Sequence, residues 1–137
     1  MRFEGLEPWA SDGFEVIECE VGGASYDLHN LADFAGFGWT PPDTLVLVAD
    51  YDPMRFSRPP FAGPAERLEV RLEFTTVREL ELRQADDFAW QAARTIDGWH
   101  FWPEGDRGRI ELRAGDATAR FTAEAVRFST KPWAAAT

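Results

Sequence analysis

The histidines of the chain, and the carboxylates near one of them, are the residues whose chemistry could serve a metal ion. There are two histidines, His29 and His100, and His29 lies between Asp27 and Asp33. Neutral imidazole together with carboxylate suits zinc or iron. However, the spacing matches no known metal motif, and both histidines have aromatic residues near them in sequence. We therefore predict packed histidines with hydrogen-bonded rings, and no metal or other cofactor.

The one cysteine of the chain, Cys19, is the candidate nucleophile. A single cysteine excludes an intramolecular disulfide and a cysteine metal cluster. Cys19 is in phase with Ile17 and Val21, and Glu18 and Glu20 flank it. Neighbouring negative charges raise a thiol pKa, whereas a nucleophilic thiolate needs a lowered one. The pattern predicts a buried, unreactive thiol.

A pair of carboxylates could also act as general acid and base, as in glycosidases. Asp50 and Asp52 flank Tyr51 at the end of an apolar segment, on the same side of an extended chain. Acidic residues are abundant here, so nothing singles this pair out. The sequence also lacks a Gly-x-Ser-x-Gly elbow, a phosphate loop and a dinucleotide fingerprint. We therefore expect no catalytic residues and a protein that is not an enzyme.

The net charge of −10 is unevenly distributed along the chain. Residues 1–53 hold 11 acidic residues and 1 basic residue, whereas residues 54–137 hold 13 of each. An acidic protein repels nucleic acid and anionic membrane, but it attracts a basic protein. We predict that the carboxylates of the first segment form one partner-facing surface, centred on Glu18, Glu20, Asp50 and Asp52.

The tryptophans offer apolar contact area. In the segment 99–102, alternation places Trp99 and Phe101 on one face, and His100 and Trp102 on the other. Tryptophan is enriched among the residues that dominate protein interfaces, so we predict that Trp102 is an exposed anchor for a protein partner. The alternative is a small-ligand or carbohydrate-binding domain in which Trp39, Trp99 and Trp102 stack on the ligand.

Period-two alternation predicts the elements that position these residues. Apolar and charged residues alternate through 66–74, around Leu80 and Leu82, and around Ile110 and Leu112. The apolar run in Thr44–Tyr51 predicts a central strand. Many short strands without a long helix predict an all-β protein, an antiparallel β-sandwich or partly open barrel of about eight strands. We expect one domain over 1–137, with at most one or two short helices.

The segments between these strands do not follow the simple alternation, and each needs its own prediction. Residues 27–35 have the spacing of a short helix, and 86–96 fit either a helix or a strand. Asp97 and Gly98 favour a two-residue hairpin turn. The proline-rich segment 52–65 is interpreted as a crossover between two sheets. A turn or bulge is expected at Thr75 and Thr76, and a bulge or bend near Glu124, because the inward phase changes there.

The segments Arg67–Arg83 and Arg109–Phe128 resemble small all-β bacterial proteins, some of which are immunity proteins of polymorphic toxin systems. The shared features are an alternating strand that ends in Phe, a two-residue break with a second short strand, and a closing Val-Arg-Phe. The resemblance implies a protein that binds and blocks a basic toxin.

Among 14 basic residues only Lys131 is a lysine, which is typical of a GC-rich bacterial genome. The first residues contain no apolar stretch typical of a signal peptide, so we expect a cytoplasmic protein.

Overall fold

The structure is a computed structural model that describes residues 1–9, 17–54, 64, 66–83, 95–114 and 117–133. In these ranges it contains 11 strands and no helix. The strands are β1 (Arg2–Glu4), β2 (Glu18–Val21), β3 (Ala24–Asp27), β4 (Ala32–Thr40), β5 (Thr44–Tyr51), β6 (Leu68–Thr75), β7 (Arg78–Arg83), β8 (Gly98–Glu104), β9 (Arg107–Ala114), β10 (Ala117–Ala123) and β11 (Ala125–Pro132). Residues 84–94, which include most of the ambiguous segment 86–96, lie outside the described ranges.

The strands form two main sheets and a separate hairpin. The large sheet has the order β1-β11-β6-β5-β4, and the small sheet has the order β7-β10-β9-β8. All neighbouring strands in both sheets are antiparallel except β1 and β11, which are parallel. Among the described strands, β2 and β3 pair only with each other, and together they form the unit that we call the acidic hairpin. The all-β sandwich predicted from the alternation is confirmed, and β5 lies inside the large sheet as expected.

The core lies between the inner faces of the two sheets. Along β6, buried Leu68, Val70, Leu72 and Phe74 alternate with more exposed charged residues. The ring of Phe74 contacts Phe121 of β10 at 4.9 Å and Trp99 of β8 at 6.3 Å between centroids. Each fully buried side chain of this kind stabilises the fold by roughly 1.5–3 kcal/mol. The period-two pattern therefore places one face of each sheet in the same core.

The chain passes between the sheets at two corners. It leaves the large sheet after Thr75, where Thr76 has a φ of 53°, and enters the small sheet at Arg78. It returns at Glu124, between β10 and β11, and the Glu124 amide donates to the Thr75 carbonyl at 3.0 Å. The irregularities expected at these positions are thus sheet-to-sheet corners. The change of inward phase near Glu124 arises because the two strands belong to different sheets.

The acidic hairpin packs on the inner face of the large sheet, in the same layer as the small sheet. Tyr26 of β3 contacts Tyr51 at 5.3 Å and Phe128 at 4.9 Å between ring centroids. Trp9 joins the hairpin to the small sheet, because its Nε1 donates to the Glu18 carbonyl at 3.2 Å and its ring lies 5.1 Å from Trp99. The outward side chains of the hairpin and of the small sheet therefore point away from the large sheet.

The short helix expected at 27–35 is wrong. Strand β3 ends at Asp27 and β4 begins at Ala32. The Asp27 carboxylate accepts hydrogen bonds from the amides of His29 and Asn30, at 3.1 and 2.9 Å, and from Asn30 Nδ2 at 2.9 Å. Aspartate commonly stabilises a turn in this way, and the turn competes with a helix.

The hairpin turn predicted at Asp97 and Gly98 is also wrong. Gly98 begins β8 opposite Arg113, and the Asp97 amide donates to the Arg113 carbonyl at 2.8 Å. The two-residue turn lies instead at Gly105 and Asp106, between β8 and β9, where Gly105 has a φ of 64°. Both dipeptides have suitable turn chemistry, and the buried alternation of the two strands determines which one is used.

Two further expectations about the sheets are wrong. Strands β5 and β6 are neighbours in the large sheet, so 52–65 connects adjacent strands and is not a crossover between sheets. The apolar alternation of β7 predicts a buried face, yet all six of its residues are exposed, including Leu80 and Leu82. Strand β7 lies at an edge of the small sheet, where alternation no longer guarantees burial.

Candidate partner-binding surface

The carboxylates of the acidic hairpin point outward from the sandwich. On β2, exposed Glu18 and Glu20 lie on either side of Cys19, which is 0 % exposed. Glu18 lies opposite Asp27 in the strand pair, and Glu20 lies opposite Ser25. Because Cys19 and Tyr26 occupy the inner face, the alternation of the two strands requires these carboxylates to face solvent.

The carboxylates of this hairpin repel one another in the free protein. Partial burial raises the pKa of Glu18, and the negative charges of Asp27 and Glu20 raise it further. Within the described ranges, neither Glu18 nor Glu20 forms an ion pair with a basic side chain. Like charges directly opposite each other destabilise a strand pair. The hairpin therefore carries negative charge that its described surroundings leave uncompensated.

Many other carboxylates of the protein are paired with a basic residue. The pairs join Glu4 to Arg127, Asp43 to Arg78, Asp50 to Arg67, Glu69 to Lys131, Glu104 to Arg109, Glu111 to Arg120 and Glu124 to Arg107. Most of these pairs are exposed, and each contributes little to stability. They nevertheless cancel charge locally. The hairpin differs from these paired sites, because Glu18 and Glu20 lie on one short strand without such a partner among the described residues.

The expectation that Glu18, Glu20, Asp50 and Asp52 share one surface is wrong. Asp50 lies between buried Ala49 and Tyr51 on β5, so it projects from the outer face of the large sheet. The hairpin lies against the inner face of that sheet, and its carboxylates point the opposite way. Asp50 is also bound by Arg67, whose Nη2 lies 2.6 Å from Asp50 Oδ2.

Asp52 takes part in local structure instead of the hairpin surface. Its Oδ1 accepts a hydrogen bond from the Met54 amide at 3.2 Å, and its own amide donates to the Leu31 carbonyl at 2.7 Å. The negative charge of Asp52 also raises the pKa of Arg67, after the larger effects of the Asp50 hydrogen bond and charge. Asp50 and Asp52 therefore belong to a second acidic group, partly neutralised by Arg67.

Trp102 lies on the outward face of the small sheet, where it is partly buried. Its ring stacks on His100 of the same strand, with 5.4 Å between centroids and 9° between planes. Trp102 pairs with Arg109 across β8 and β9. It borders a groove of about 290 Å³ that is also lined by Arg109, Ile110, Glu111 and Arg120. Trp102 and the acidic hairpin thus both face away from the large sheet.

The other tryptophans proposed for ligand stacking lie elsewhere. Trp99 is 0 % exposed and packs in the core, so its stacking role is not compatible with this structure. Trp39 is 48 % exposed, but it belongs to β4, the edge strand of the large sheet. The three rings therefore do not form one platform, and only Trp102 borders the groove.

The candidate metal-binding histidines and the candidate nucleophile Cys19 are packed against other parts of the protein. His29 Nδ1 donates to the Ile96 carbonyl at 2.6 Å, which agrees with a packed, hydrogen-bonded histidine. The prediction of a hydrogen-bonded ring is not met at Nδ1 of His100. This atom is buried and has no hydrogen-bond partner in the described part of the chain. Burial raises the pKa of Cys19 to about 12, as expected for an unreactive thiol. Among the described residues, no His, Cys, Asp and Glu group could hold a metal ion.

Sequence reasoning missed Arg109, Glu111 and Arg120 as lining residues of the groove. Arg109 and Glu111 alternate with buried Ile110 and Leu112, and Arg120 lies between buried neighbours on β10. Such alternation indicates an ordinary solvated strand face. The groove arises only because Trp102 lies beside Arg109 across one strand pair and Glu111 lies opposite Arg120 across the next. That cross-strand register is not visible in the sequence.

Comparisons of the chain with protein-family profiles, curated proteins and solved structures find no match. The part of the chain that the structure describes includes no helix that could cross a membrane.

Proposed function

We propose that this protein is a non-enzymatic binding module of the immunity type, which captures a basic protein, such as a toxin, through its acidic hairpin. The observation that carries the proposal is the placement of Glu18 opposite Asp27 and beside Glu20, without a basic residue to neutralise Glu18 or Glu20 among the residues described. The resemblance of the strand pattern to immunity proteins agrees with this function.

Physical reasoning links this charge arrangement to association with a basic partner. Exposed negative charges attract a basic protein before contact and can raise its association rate by one or more orders of magnitude. The lysines or arginines of the partner would also neutralise charges that repel one another in the free hairpin. Burial raises the pKa of Glu18 most, and the charges of Asp27 and Glu20 raise it further; it is this second, repulsive contribution that the partner relieves.

Affinity capture tests this function, with the immobilised protein as bait and cell lysate at low ionic strength as the source of partners. The informative bait is Glu20→Lys, because Glu20 is exposed and lies opposite the uncharged Ser25. The matched control is Glu73→Lys, with the same charge change on the outer face of the large sheet, where Glu73 lies between buried Leu72 and Phe74. If the genome encodes a toxin beside this gene, its purified product is the first partner to test directly.

The expected result is a basic protein that the wild type and Glu73→Lys retain and that Glu20→Lys loses. Specific loss at the hairpin distinguishes a real partner from general attraction to an acidic protein. The proposal is contradicted if both variants retain the same proteins, or if the captured proteins are no more basic than the lysate as a whole.

A further inference from the structure

The groove beside Trp102 has walls that suit an uncharged group. Arg109 donates from Nε to Glu104 at 2.8 Å and from Nη2 to Glu79 at 2.9 Å. Arg120 Nε lies 3.1 Å from Glu111 Oε2. An incoming anion would meet these carboxylates, and an incoming cation would meet these arginines. The charged groups therefore compensate one another and give the groove no strong preference for either sign.

The apolar parts of the same residues form the contact area. The Trp102 ring and the hydrocarbon stems of Arg109 and Arg120 are available to pack against a ligand, since long charged side chains carry substantial apolar surface. The stack on His100 restricts the orientation of the Trp102 ring. A ring held in place before binding loses little conformational freedom when a ligand arrives. A volume of about 290 Å³ is of the size of one or two side chains.

We propose that this groove is the anchor of the interface formed with the basic partner, and that it receives one apolar side chain of that partner. This inference rests on the proposed function, because it assigns the groove and the acidic hairpin to one binding surface. Both elements lie in the layer that packs on the inner face of the large sheet, and both present their outward residues to the same side. Charge then steers the partner, and Trp102 holds it.

A protein side chain fits the groove better than a sugar. Carbohydrate recognition uses donors and acceptors that can bond to the hydroxyl groups of the ligand, and the bonds of Arg109 and Arg120 to Glu79, Glu104 and Glu111 occupy part of that capacity. A saccharide platform with Trp39 and Trp99 is also absent, because those rings lie elsewhere. In contrast, a tryptophan surrounded by polar residues that exclude water is typical of the centre of a protein interface.

A random peptide library displayed on phage tests the anchor and requires no purified partner. Peptides are selected on the wild-type protein, synthesised, and measured by calorimetry against four variants. Trp102→Ala removes the anchor, and Trp102→Phe keeps a ring that can stack on His100 in case the alanine variant is unstable. Trp39→Ala is the matched control, since it removes an exposed tryptophan of the other layer. Glu20→Lys tests the hairpin separately.

The expected peptides combine an apolar residue with nearby lysine or arginine. Trp102→Ala should weaken their binding by about tenfold or more, Trp102→Phe by less, and Trp39→Ala not at all. Raising the salt concentration should not abolish the effect of Trp102→Ala, because the contact is apolar.

The remaining outcomes separate the anchor from the proposed function. Peptides that depend on Glu20 but not on Trp102 would overturn the anchor and leave the acidic hairpin supported. Peptides that depend on Trp102 but not on Glu20 would support the groove and contradict capture through the hairpin. The anchor is also overturned if no peptide is enriched, or if a glycan panel quenches tryptophan fluorescence in the wild type but not in Trp102→Phe.

Discussion

Glu18 and Asp27 lie directly opposite each other in the acidic hairpin, with Glu20 on the same strand as Glu18. Two facing carboxylates repel each other, and the partial burial of Glu18 adds to this cost. The pair therefore lowers the stability of the free protein at neutral pH. A partner that brings positive charge to the hairpin removes this cost.

Replacing Glu18 by glutamine should stabilise the free protein at neutral pH by roughly 0.2–1 kcal/mol. The pKa of Glu18 is raised in the folded state, so its stabilising contribution is present when it is protonated and is lost as the pH rises through that raised pKa. The advantage of Glu18→Gln should therefore disappear once the pH falls below the ordinary glutamate pKa of about 4.3.

Urea unfolding at several pH values measures this difference. Glu81→Gln is the control, because Glu81 lies opposite Arg120 and its loss removes an attraction instead of a repulsion. A glutamine variant at position 18 that is less stable than the wild type at neutral pH would show that the repulsion is not significant.

Arg107 connects the two corners at which the chain changes sheets. Its Nε and Nη2 donate to Thr122 Oγ1 at 3.1 and 3.0 Å, and Nη2 also donates to the Thr76 carbonyl. Thr122 is only 5 % exposed. Arg107→Ala should lower the free energy of unfolding by about 2–3 kcal/mol, because it leaves buried acceptors without a donor.

Denaturant unfolding checks this value against Arg83→Ala. The Arg83 side chain is 78 % exposed and lies 3.8 Å from its carboxylate partner, so its loss should change stability by less than about 0.5 kcal/mol. Equal effects of the two substitutions would mean that Arg107 does not hold the corners together.

Cys19 should resist alkylation in the native protein. Its side chain is 0 % exposed, and burial raises its pKa to about 12. At about pH 8.5, where an unperturbed thiol is half ionised, iodoacetamide should modify Cys19 only at the rate at which the protein unfolds. Intact-protein mass measures the modification, with protein in guanidinium chloride as the positive control. Fast labelling of the native protein would place the thiol at the surface.

The part of the fold that depends on local alternation could be predicted from the sequence. The strand around Val70 and Leu72, the central strand ending at Tyr51, and the burial of Cys19 all follow from the period-two pattern. The break at Thr75 and the bend at Glu124 were also predictable, because the inward phase changes there. That these two positions are corners between sheets depends on strand pairing, which the local sequence does not contain.

The candidate site was predictable residue by residue but not as a surface. The alternation predicts that Glu18, Glu20 and Asp50 all face outward, and they do. It does not say which side of the sandwich each one faces, and the hairpin and β5 present their carboxylates to opposite sides. Trp99 likewise shares its face with Phe101 as predicted, and packing against Trp9 and Phe74 makes that face the core.

The association rate of the captured basic partner tests the central claim most directly. Stopped-flow fluorescence would compare the wild type, Glu20→Lys and the control Glu73→Lys while added salt shortens the Debye length from about 30 to 3 Å. We predict that the wild type and Glu73→Lys associate rapidly at low salt and slow steeply as salt rises. Glu20→Lys should associate at least about tenfold more slowly at low salt, with a weaker salt dependence. Identical rates and salt dependences for Glu20→Lys and the wild type would contradict capture through the acidic hairpin.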